Sequence, residues 1–119
     1  MAFMEELVCK YYRSVDKGNF KEALSIFSND AIYTRCEKMF RGKKRITRFY
    51  EHDRQVTGKH RVKYLARSRR ILVIKGLFKG QNSKGKVLDV KFVDIFHFNQ
   101  RKLVKLRETF IAAEFEKIC

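Results

Sequence analysis

The spacing of apolar residues changes near Lys59, and this change constrains the fold more than any other feature of the sequence. In residues 3–15 and 43–54, apolar side chains recur every three or four residues, which places them on one face of a helix. After Lys59, apolar and polar residues alternate, as they do in a strand with one buried face. Helices followed by a series of strands predict an α+β fold.

The predicted elements follow one another along the whole chain. Helices are expected at residues 3–15, 20–27 and 43–54. Strands are expected at residues 31–36, 59–68, 69–80, 86–99 and 102–115. Asn19 and Glu22 are spaced as a capping box at the start of the second helix. Because the sequence contains no proline, linker or repeat, one domain covering residues 1–119 is predicted.

The chain is strongly basic, with 28 Lys and Arg residues against 13 Asp and Glu and a formal net charge of +15. Such a charge attracts phosphates, acidic proteins and anionic ligands. The basic residues at outward strand positions are Arg61, Lys63, Arg67, Arg69, Lys75, Lys79, Lys91, Lys105 and Arg107. A solvated surface or a dimer contact explains this face, and binding of nucleic acid or an acidic protein is the alternative. No base-reading module is recognisable, so nucleic acid is the disfavoured partner.

The sequence gives no sign of a membrane span or an export signal. No apolar run approaches the ~18 residues that a spanning helix needs. Glu5 and Glu6 stand where a secretory signal carries basic residues. A cytoplasmic location without a membrane partner is therefore expected.

Motifs for cofactors and metals are missing from the sequence, which contains no P-loop, dinucleotide fingerprint or H-E-x-x-H. The histidines are scattered: His52, His60 and His97. The cysteines lack a C-x-x-C pair and are predicted to be free thiols: Cys9, Cys36 and Cys119. Neither a cofactor nor a metal site is predicted.

Asp94 lies in the middle of an apolar and aromatic stripe on its predicted strand. The residues on the same face are Leu88, Val90, Phe92, Phe96 and Phe98. Burial would raise the pKa of an unpartnered carboxyl, and the neutral acid can then donate a hydrogen bond to an oxyanion. Two alternatives stay open: a buried Arg, Lys or Tyr holds Asp94, or a bulge turns it to solvent.

Two further residues extend this pattern. Glu108 repeats it in the last strand, where it is predicted to share a face with Val104, Leu106 and Phe110. Tyr11 lies on the inward stripe of the first helix, where its phenol needs a partner, either an inward carboxyl or backbone and water. A cavity with a polar floor would accommodate both acidic residues.

Four segments together resemble the SnoaL-like, or nuclear transport factor 2-like, superfamily and, within it, the ketosteroid isomerases. They are YYRSVDKGNF (residues 11–20), NDA (29–31), FRGKKRI (40–46) and the hairpin at 94–110. The resemblance covers about residues 5–112. It implies a cone-shaped, curved antiparallel sheet wrapped by three N-terminal helices (an α+β barrel), with a conical ligand cavity. It also implies a homodimer, for which outward apolar residues of the sheet offer a surface.

By this resemblance, Tyr11 lies at the position of the isomerases' oxyanion-hole tyrosine and Asp94 at that of their protonated acid. Phe110 falls on the pocket wall. Arg35 takes the position of the general base, and an arginine does not abstract protons at neutral pH. Steroid isomerisation by that mechanism is therefore not expected.

Other acid–base groups would have to be recruited for any catalysis, and the residues considered are Glu37, Glu108 and His97. The epoxide-hydrolase branch of the fold uses an Arg-x-Asp pairing, which residues 62–80 lack. The sequence therefore predicts a cofactor-free pocket protein, at most an isomerase- or cyclase-type enzyme, with Tyr11 and Asp94 as hydrogen-bond donors.

The predicted ligand is a small, anionic and partly apolar molecule. Arg35 is expected to hold its anionic group at the cavity mouth. The predicted wall residues are Phe92, Phe96, Glu108 and Phe110. A non-catalytic binding module that uses the basic surface for nucleic acid or an acidic protein is the alternative, and a purely structural dimer is a third.

Overall fold

The computed structural model describes residues 3–111, in which a curved six-stranded sheet carries helices on its concave face. The helices are α1 (Phe3–Asp16), α2 (Phe20–Ala23) and α3 (Lys43–Arg48). The strands are β1 (Phe27–Arg35), β2 (Lys38–Arg41), β3 (Val56–Arg67), β4 (Ile71–Asn82), β5 (Val87–Phe98) and β6 (Val104–Ile111). A 3-10 turn (Leu24–Ile26) follows α2, and a π-helical turn (Phe49–Asp53) follows α3.

The strands are ordered β2-β1-β6-β5-β4-β3, and β1 runs parallel to β6 while the other neighbours are antiparallel. The predicted α+β class and curved, cone-like sheet are confirmed. The sheet is mixed, however, rather than wholly antiparallel. Tight turns force antiparallel pairing on hairpin strands, whereas β1 and β6 are far apart in sequence and are free of that constraint.

Helix α1 supplies one side of the core with the predicted inward residues. Met4, Val8, Tyr11 and Val15 are all buried. The capping box is also present, since the Asn19 side chain accepts a hydrogen bond from the Glu22 backbone N–H at 3.2 Å. The inward stripe and the cap together fix how the two helices enter the fold.

Strand β2, which forms a hairpin with β1, was not predicted from the sequence. The connection consists of Cys36 and Glu37, because Arg35 pairs directly with Lys38. Both turn residues have positive φ values, 48° and 64°, as two-residue hairpin turns require. The dipeptide Cys-Glu lacks the Asn or Gly that usually signals such a turn, so the turn could not be predicted from its residues.

An extra residue in β6 changes which side chains face the core. Phe98 pairs with Val104 but His97 pairs with Leu106, so Lys105 is an additional residue on β6. Such a bulge reverses the alternation of side chains beyond it. Arg107, predicted to be outward, is therefore buried.

The same reversal corrects two predicted wall residues. Glu108 and Phe110 lie on the outer face of the sheet, where Phe110 is 42% exposed. Thr109 and Ile111 take the buried positions instead. Residues 112–115 of the predicted last strand lie outside the described residues.

The structure also bears on the predictions made for cysteines, metal sites and membrane spans. Cys9 is a free thiol, but Cys36 is disulfide-bonded, so the prediction of free thiols is wrong there. Cys119 lies outside the described residues. Within residues 3–111, no three His, Cys, Asp or Glu side chains form a group that could hold a metal ion. None of the described helices is both long and apolar enough to cross a membrane.

Candidate functional site

A cavity of about 330 Å³ opens between the concave face of the sheet and the π-helical turn. This volume lies at the small end of the usual range for ligand pockets. Its basic lining residues are Arg35, Arg54 and Arg107. Its aromatic lining residues are Tyr33, Phe49, Tyr50, Phe78 and Phe92. Leu88, Val90 and Ile111 add aliphatic surface.

A buried ion pair lies behind the inner end of this cavity. The Arg107 Nη2 group donates to Asp94 Oδ2 at 2.8 Å, and the Asp94 side chain is wholly buried. Tyr12 and Thr109 also donate their hydroxyl hydrogens to the Asp94 carboxylate. Asp94 thus accepts three hydrogen bonds. Of the possibilities left open from the sequence, the structure has the one in which a buried arginine and a tyrosine hold Asp94.

The other edge of the Arg107 guanidinium faces two phenols. Its Nη1 group donates to the hydroxyls of Tyr11 and Tyr50, the latter at 2.7 Å. The ring centroids of Tyr33 and Tyr11 lie 4.7 and 5.0 Å from Arg107 Cζ, within cation–π distance. Among the described residues, no side chain or backbone group accepts a hydrogen bond from the buried Arg107 Nε.

Burial decides the protonation of these groups. It raises the pKa of Tyr11 well above the usual value of 10, although the nearby Arg107 charge opposes the shift. Burial, reinforced by the Asp94 charge, likewise raises the pKa of Tyr12. Burial alone would lower the pKa of Arg107, but Asp94 and the surrounding tyrosines outweigh it and raise that pKa. The phenols of Tyr11 and Tyr12 therefore stay protonated, and the guanidinium stays charged.

Tyr11 is buried as predicted, but it does not contact Asp94 directly. Tyr12 takes that place, and Tyr11 joins the network through Arg107. Both tyrosines are buried, at 1% and 3% exposure, because α1 lies inside the curved sheet and has core on two adjacent sides. Neither Tyr11 nor Asp94 lines the cavity; Arg107 and Tyr50 reach it instead.

Arg35, for which a position at the cavity mouth was predicted, lines the cavity. Its guanidinium carbon lies 5.5 Å from the centroid of the Phe49 ring. Within residues 3–111 it has no ion pair with Glu37, Glu108 or another carboxylate, in contrast to the structural ion pair considered from sequence. Arg54 lies 5.5 Å from the centroids of both Tyr50 and Phe78.

The remaining predicted wall residues are distributed unevenly. Phe92 lines the cavity, whereas Phe96 is fully buried beneath it and packs against Tyr11. Glu108 pairs with His97 at 2.8 Å on the outer face. Glu37 lies in the β1–β2 turn, so none of the three acid–base candidates named from sequence lies in the cavity.

A histidine–carboxylate pair at the cavity wall was not predicted from the sequence. His60 on β3 lines the cavity, and its Nδ1 lies 2.5 Å from Asp16 Oδ1 at the end of α1. Burial lowers the pKa of His60 below 6.5, although the Asp16 carboxylate opposes the shift. The one signal in the sequence was that His60 alternates in phase with the inward residue Val62.

Comparisons with known proteins agree with this architecture. Residues 8–106 match the sequence profile of the SnoaL-like domain. A search of curated proteins finds no significant match.

Solved structures resemble the chain in fold. A protein from Silicibacter sp. TM1040 assigned as a polyketide cyclase has a TM-score of 0.84 at 12% identity, covering 100% of this chain and 96% of its own. The epoxide hydrolase/cyclase-like enzyme SalBIII, described in pyran ring formation in the polyether salinomycin, has a TM-score of 0.74 at 14% identity, covering 92% and 90%.

The Δ5-3-ketosteroid isomerase of Mycobacterium sp. has a TM-score of 0.74 at 16% identity, covering 90% of this chain and 91% of its own. At these identities the likeness concerns the fold. The domain match, in contrast, spans most of the sequence. The chain therefore belongs to the family of SnoaL-like domains.

Proposed function

We propose that the protein binds a small anionic and partly apolar molecule in the cavity beside Arg107. The observation that carries this proposal is the excess of positive charge in the lining. Arg35, Arg54 and Arg107 face the cavity, and Asp53, the one lining carboxylate among the described residues, is paired with Arg45 at 3.2 Å. Arginine is well suited to hold carboxylates and phosphates through paired hydrogen bonds.

The rest of the lining favours a ligand whose body is apolar. Phe49, Phe78 and Phe92 provide aromatic surface, and Leu88 and Val90 provide aliphatic surface. A pocket of this kind fixes its ligand through a few polar contacts and derives the remaining affinity from apolar burial. A rigid ring system carrying one carboxylate matches both parts.

The inner end of the cavity is suited to hold a ligand oxygen. The charged Arg107 guanidinium contributes to the lining there and attracts a ligand oxygen. The Tyr50 hydroxyl lies 2.7 Å from Arg107 Nη1 and adds a second polar group. Fixed donors of this kind stabilise negative charge that develops on an oxygen, which supports chemistry of the isomerase or cyclase type.

Ketosteroid isomerase activity is not part of the proposal. By the resemblance to those isomerases, Arg35 takes the position of the reaction's base, and its side chain carries a positive charge. Its role here is to bind the ligand's anionic group. Tyr11 and Asp94, which do not line the cavity, support the site by holding Arg107 in place.

Calorimetric titration of matched pairs of aryl acids and their neutral amides tests the proposal. The acids should bind about tenfold more tightly, since a charged hydrogen bond contributes about 1.5–3 kcal/mol. Arg35→Ala should remove most of this advantage. Arg69→Ala, which removes the same charge from an exposed position, should keep it. Acids without an advantage, or an advantage that survives Arg35→Ala, would refute the proposal.

A groove on the outer face favours a second candidate function, the binding of a polyanion. Arg61, Lys63, Lys75 and Lys91 surround it together with the exposed Phe110. Single-stranded nucleic acid binds to such combinations of cations and aromatic rings. Binding should be weak, insensitive to base sequence and lost steeply as salt rises. An oligonucleotide titration across a salt series would reveal it, and the Lys75→Ala/Lys91→Ala double variant should weaken it.

We also infer a homodimer formed through the outer face of the sheet. Val73 and Ile95 are paired across β4 and β5 and point outward beside the exposed Phe110. The nearby lysines would have to remain at the rim of such a contact, because like charges repel across an interface. Light scattering at micromolar concentration should show a dimer, and a monomer would contradict this inference.

A further inference from the structure

The pair formed by Asp16 and His60 lies apart from the Arg107 network and is built like a positioned base. Both Asp16 oxygens face His60: Oδ2 accepts the backbone N–H at 2.9 Å, and Oδ1 lies 2.5 Å from Nδ1. The two side chains are 18% and 11% exposed. The carboxylate therefore fixes the position of the residue and the rotation of its ring together.

This contact selects one tautomer of the imidazole. A carboxylate that accepts the Nδ1 proton leaves the lone pair of the neutral ring on Nε2. The rings of Tyr12, Phe78 and Phe92 surround the imidazole at centroid distances of 5.1, 4.8 and 5.8 Å. Within residues 3–111, no hydrogen bond engages Nε2. The ring lines the cavity in this fixed orientation.

The charges around His60 keep the ring neutral near pH 7. Burial lowers its pKa, Asp16 on α1 raises it, and the Arg54 and Arg107 charges lower it further. Tyr12, the other titratable group packed against the ring, stays protonated because burial and Asp94 raise its own pKa. A neutral imidazole with one bound and one available nitrogen is the form that accepts a proton.

The cavity also contains the complement to a base. His60, Tyr50 and Arg107 line the same cavity, together with aromatic and aliphatic residues and with Arg35 and Arg54. A base acting on a C–H bond needs a donor for the negative charge that forms on the adjacent carbonyl oxygen. The Tyr50 hydroxyl accepts from Arg107 Nη1, so its own hydrogen can be donated to that oxygen, and the positive charge of Arg107 stabilises the enolate.

We propose that His60 Nε2 removes a proton from the carbon next to the carbonyl group of a keto carboxylate bound in the cavity. This inference rests on the proposed function, since the arginines hold the carboxylate. The C–H bond breaks, its electron pair forms the enolate double bond, and the carbonyl oxygen takes the charge. The imidazolium then returns the proton to the same carbon or to a conjugated one, so no oxidant or reductant is consumed. Asp16 is a positioning residue.

Hydrogen–deuterium exchange of 2-tetralone-6-carboxylate in deuterium oxide tests the inference by NMR. This probe carries acidic protons beside a ketone and an anionic group on a bicyclic body. The wild-type protein should exchange them at least about 100-fold faster than free imidazole at equal concentration, as positioned bases do. His60→Gln should lose about 100-fold in rate while the affinity for the probe stays within about threefold. His60→Asn replaces this variant if it does not fold.

His97→Gln is the matched control, because His97 is also paired with a carboxylate, Glu108, but on the outer face. It should leave the exchange rate unchanged. Asp16→Asn should lower the rate about tenfold and move the midpoint of its pH profile to lower pH, because the Asp16 charge raises the pKa of His60. A purely structural role for Asp16 would leave that midpoint in place.

The outcomes separate this inference from the proposed function. The assignment of the base is overturned if the wild-type protein exchanges the probe no faster than free imidazole does. It is also overturned if His60→Gln keeps the wild-type rate. Both results count even when the carboxylate binds tightly. His60-dependent exchange of the neutral amide of the probe, without any preference for the acid, overturns the proposed anion site and supports the base.

Discussion

The two faces of the sheet carry the same kinds of side chain in different surroundings. Each has a histidine paired with a carboxylate: His60 with Asp16 on the concave face, and His97 with Glu108 on the outer face. The inner pair is 11% and 18% exposed, and the outer pair is 23% and 33% exposed. Only the inner histidine lines the cavity, so burial and location, rather than residue type, distinguish a candidate base from a surface ion pair.

The cations differ between the faces in the same way. Arg107 is buried and has Asp94, Tyr11 and Tyr50 as partners, whereas Lys91 on the outer face is exposed. A buried charge that loses its partner has a desolvation penalty that nothing compensates, whereas an exposed charge is solvated by water. The concave face should therefore respond strongly to substitution and the outer face weakly.

Breaking the buried ion pair should have the largest effect. Arg107→Ala leaves Asp94 buried without its cation and should lower the free energy of unfolding by about 3–5 kcal/mol. Lys91→Ala, the control on the neighbouring strand's outer face, should change it by less than about 0.5 kcal/mol. Urea denaturation measures both, and equal losses would remove the distinction between the faces.

Replacing both members of the pair separates its charge from its packing. Asp94→Leu combined with Arg107→Met removes both buried charges, so the double variant should be more stable than Arg107→Ala by about 1–3 kcal/mol. The same denaturation experiment measures this difference. A double variant less stable than the single one would show that the hydrogen bonds of the network contribute more than the desolvation cost of its charges.

The buried tyrosines should make the protein unstable in alkali. Burial raises the pKa of Tyr11 and Tyr12 above 10, so above pH 10 the unfolded chain loses their protons while the folded chain keeps them. The folded state then binds more protons, and stability falls as pH rises, by at most about 1.4 kcal/mol per pH unit for each group. Tyr12→Phe should reduce this slope between pH 9 and 11. Tyr64→Phe, at a 50% exposed position, should not.

A smaller effect is expected in acid from His60. Its pKa is lowered by burial, so as pH falls below about 6.5 the unfolded chain gains a proton that the folded chain does not. The unfolded state then binds more protons, and stability declines on acidification until the lowered pKa of the folded protein is passed. Thermal unfolding between pH 7 and 5 should show a shallower decline for His60→Gln and no such change for His97→Gln.

The contrast between the faces also explains what the sequence could predict. The order of helices and strands follows from apolar periodicity, which is a local property of the chain. Asp94 was correctly assigned to the buried face of β5 because the aromatic stripe runs without a break. The prediction from alternation was wrong in β6, because the bulge at Lys105 reverses the orientation of Arg107 and Phe110.

The site itself depends on contacts between distant segments. Arg107 meets Tyr11 across 96 positions of sequence, and His60 meets Asp16 across 44. The local sequence patterns of β6 and β3 do not indicate these partners. The roles of Tyr11 and Arg35 were inferred from the resemblance to ketosteroid isomerases. That resemblance did not indicate that Arg107 lies between Tyr11 and Asp94.

The central claim, that the concave face binds an anion through its arginines, is tested most directly by the Nε–H resonances of arginine in 15N-labelled protein. Addition of 2-tetralone-6-carboxylate should shift the resonances of Arg35, Arg54 and Arg107, which line the cavity, and leave that of the exposed Arg69 unchanged. The neutral amide should produce much smaller shifts. Shifts confined to arginines outside the cavity, or equal shifts with acid and amide, would contradict the account.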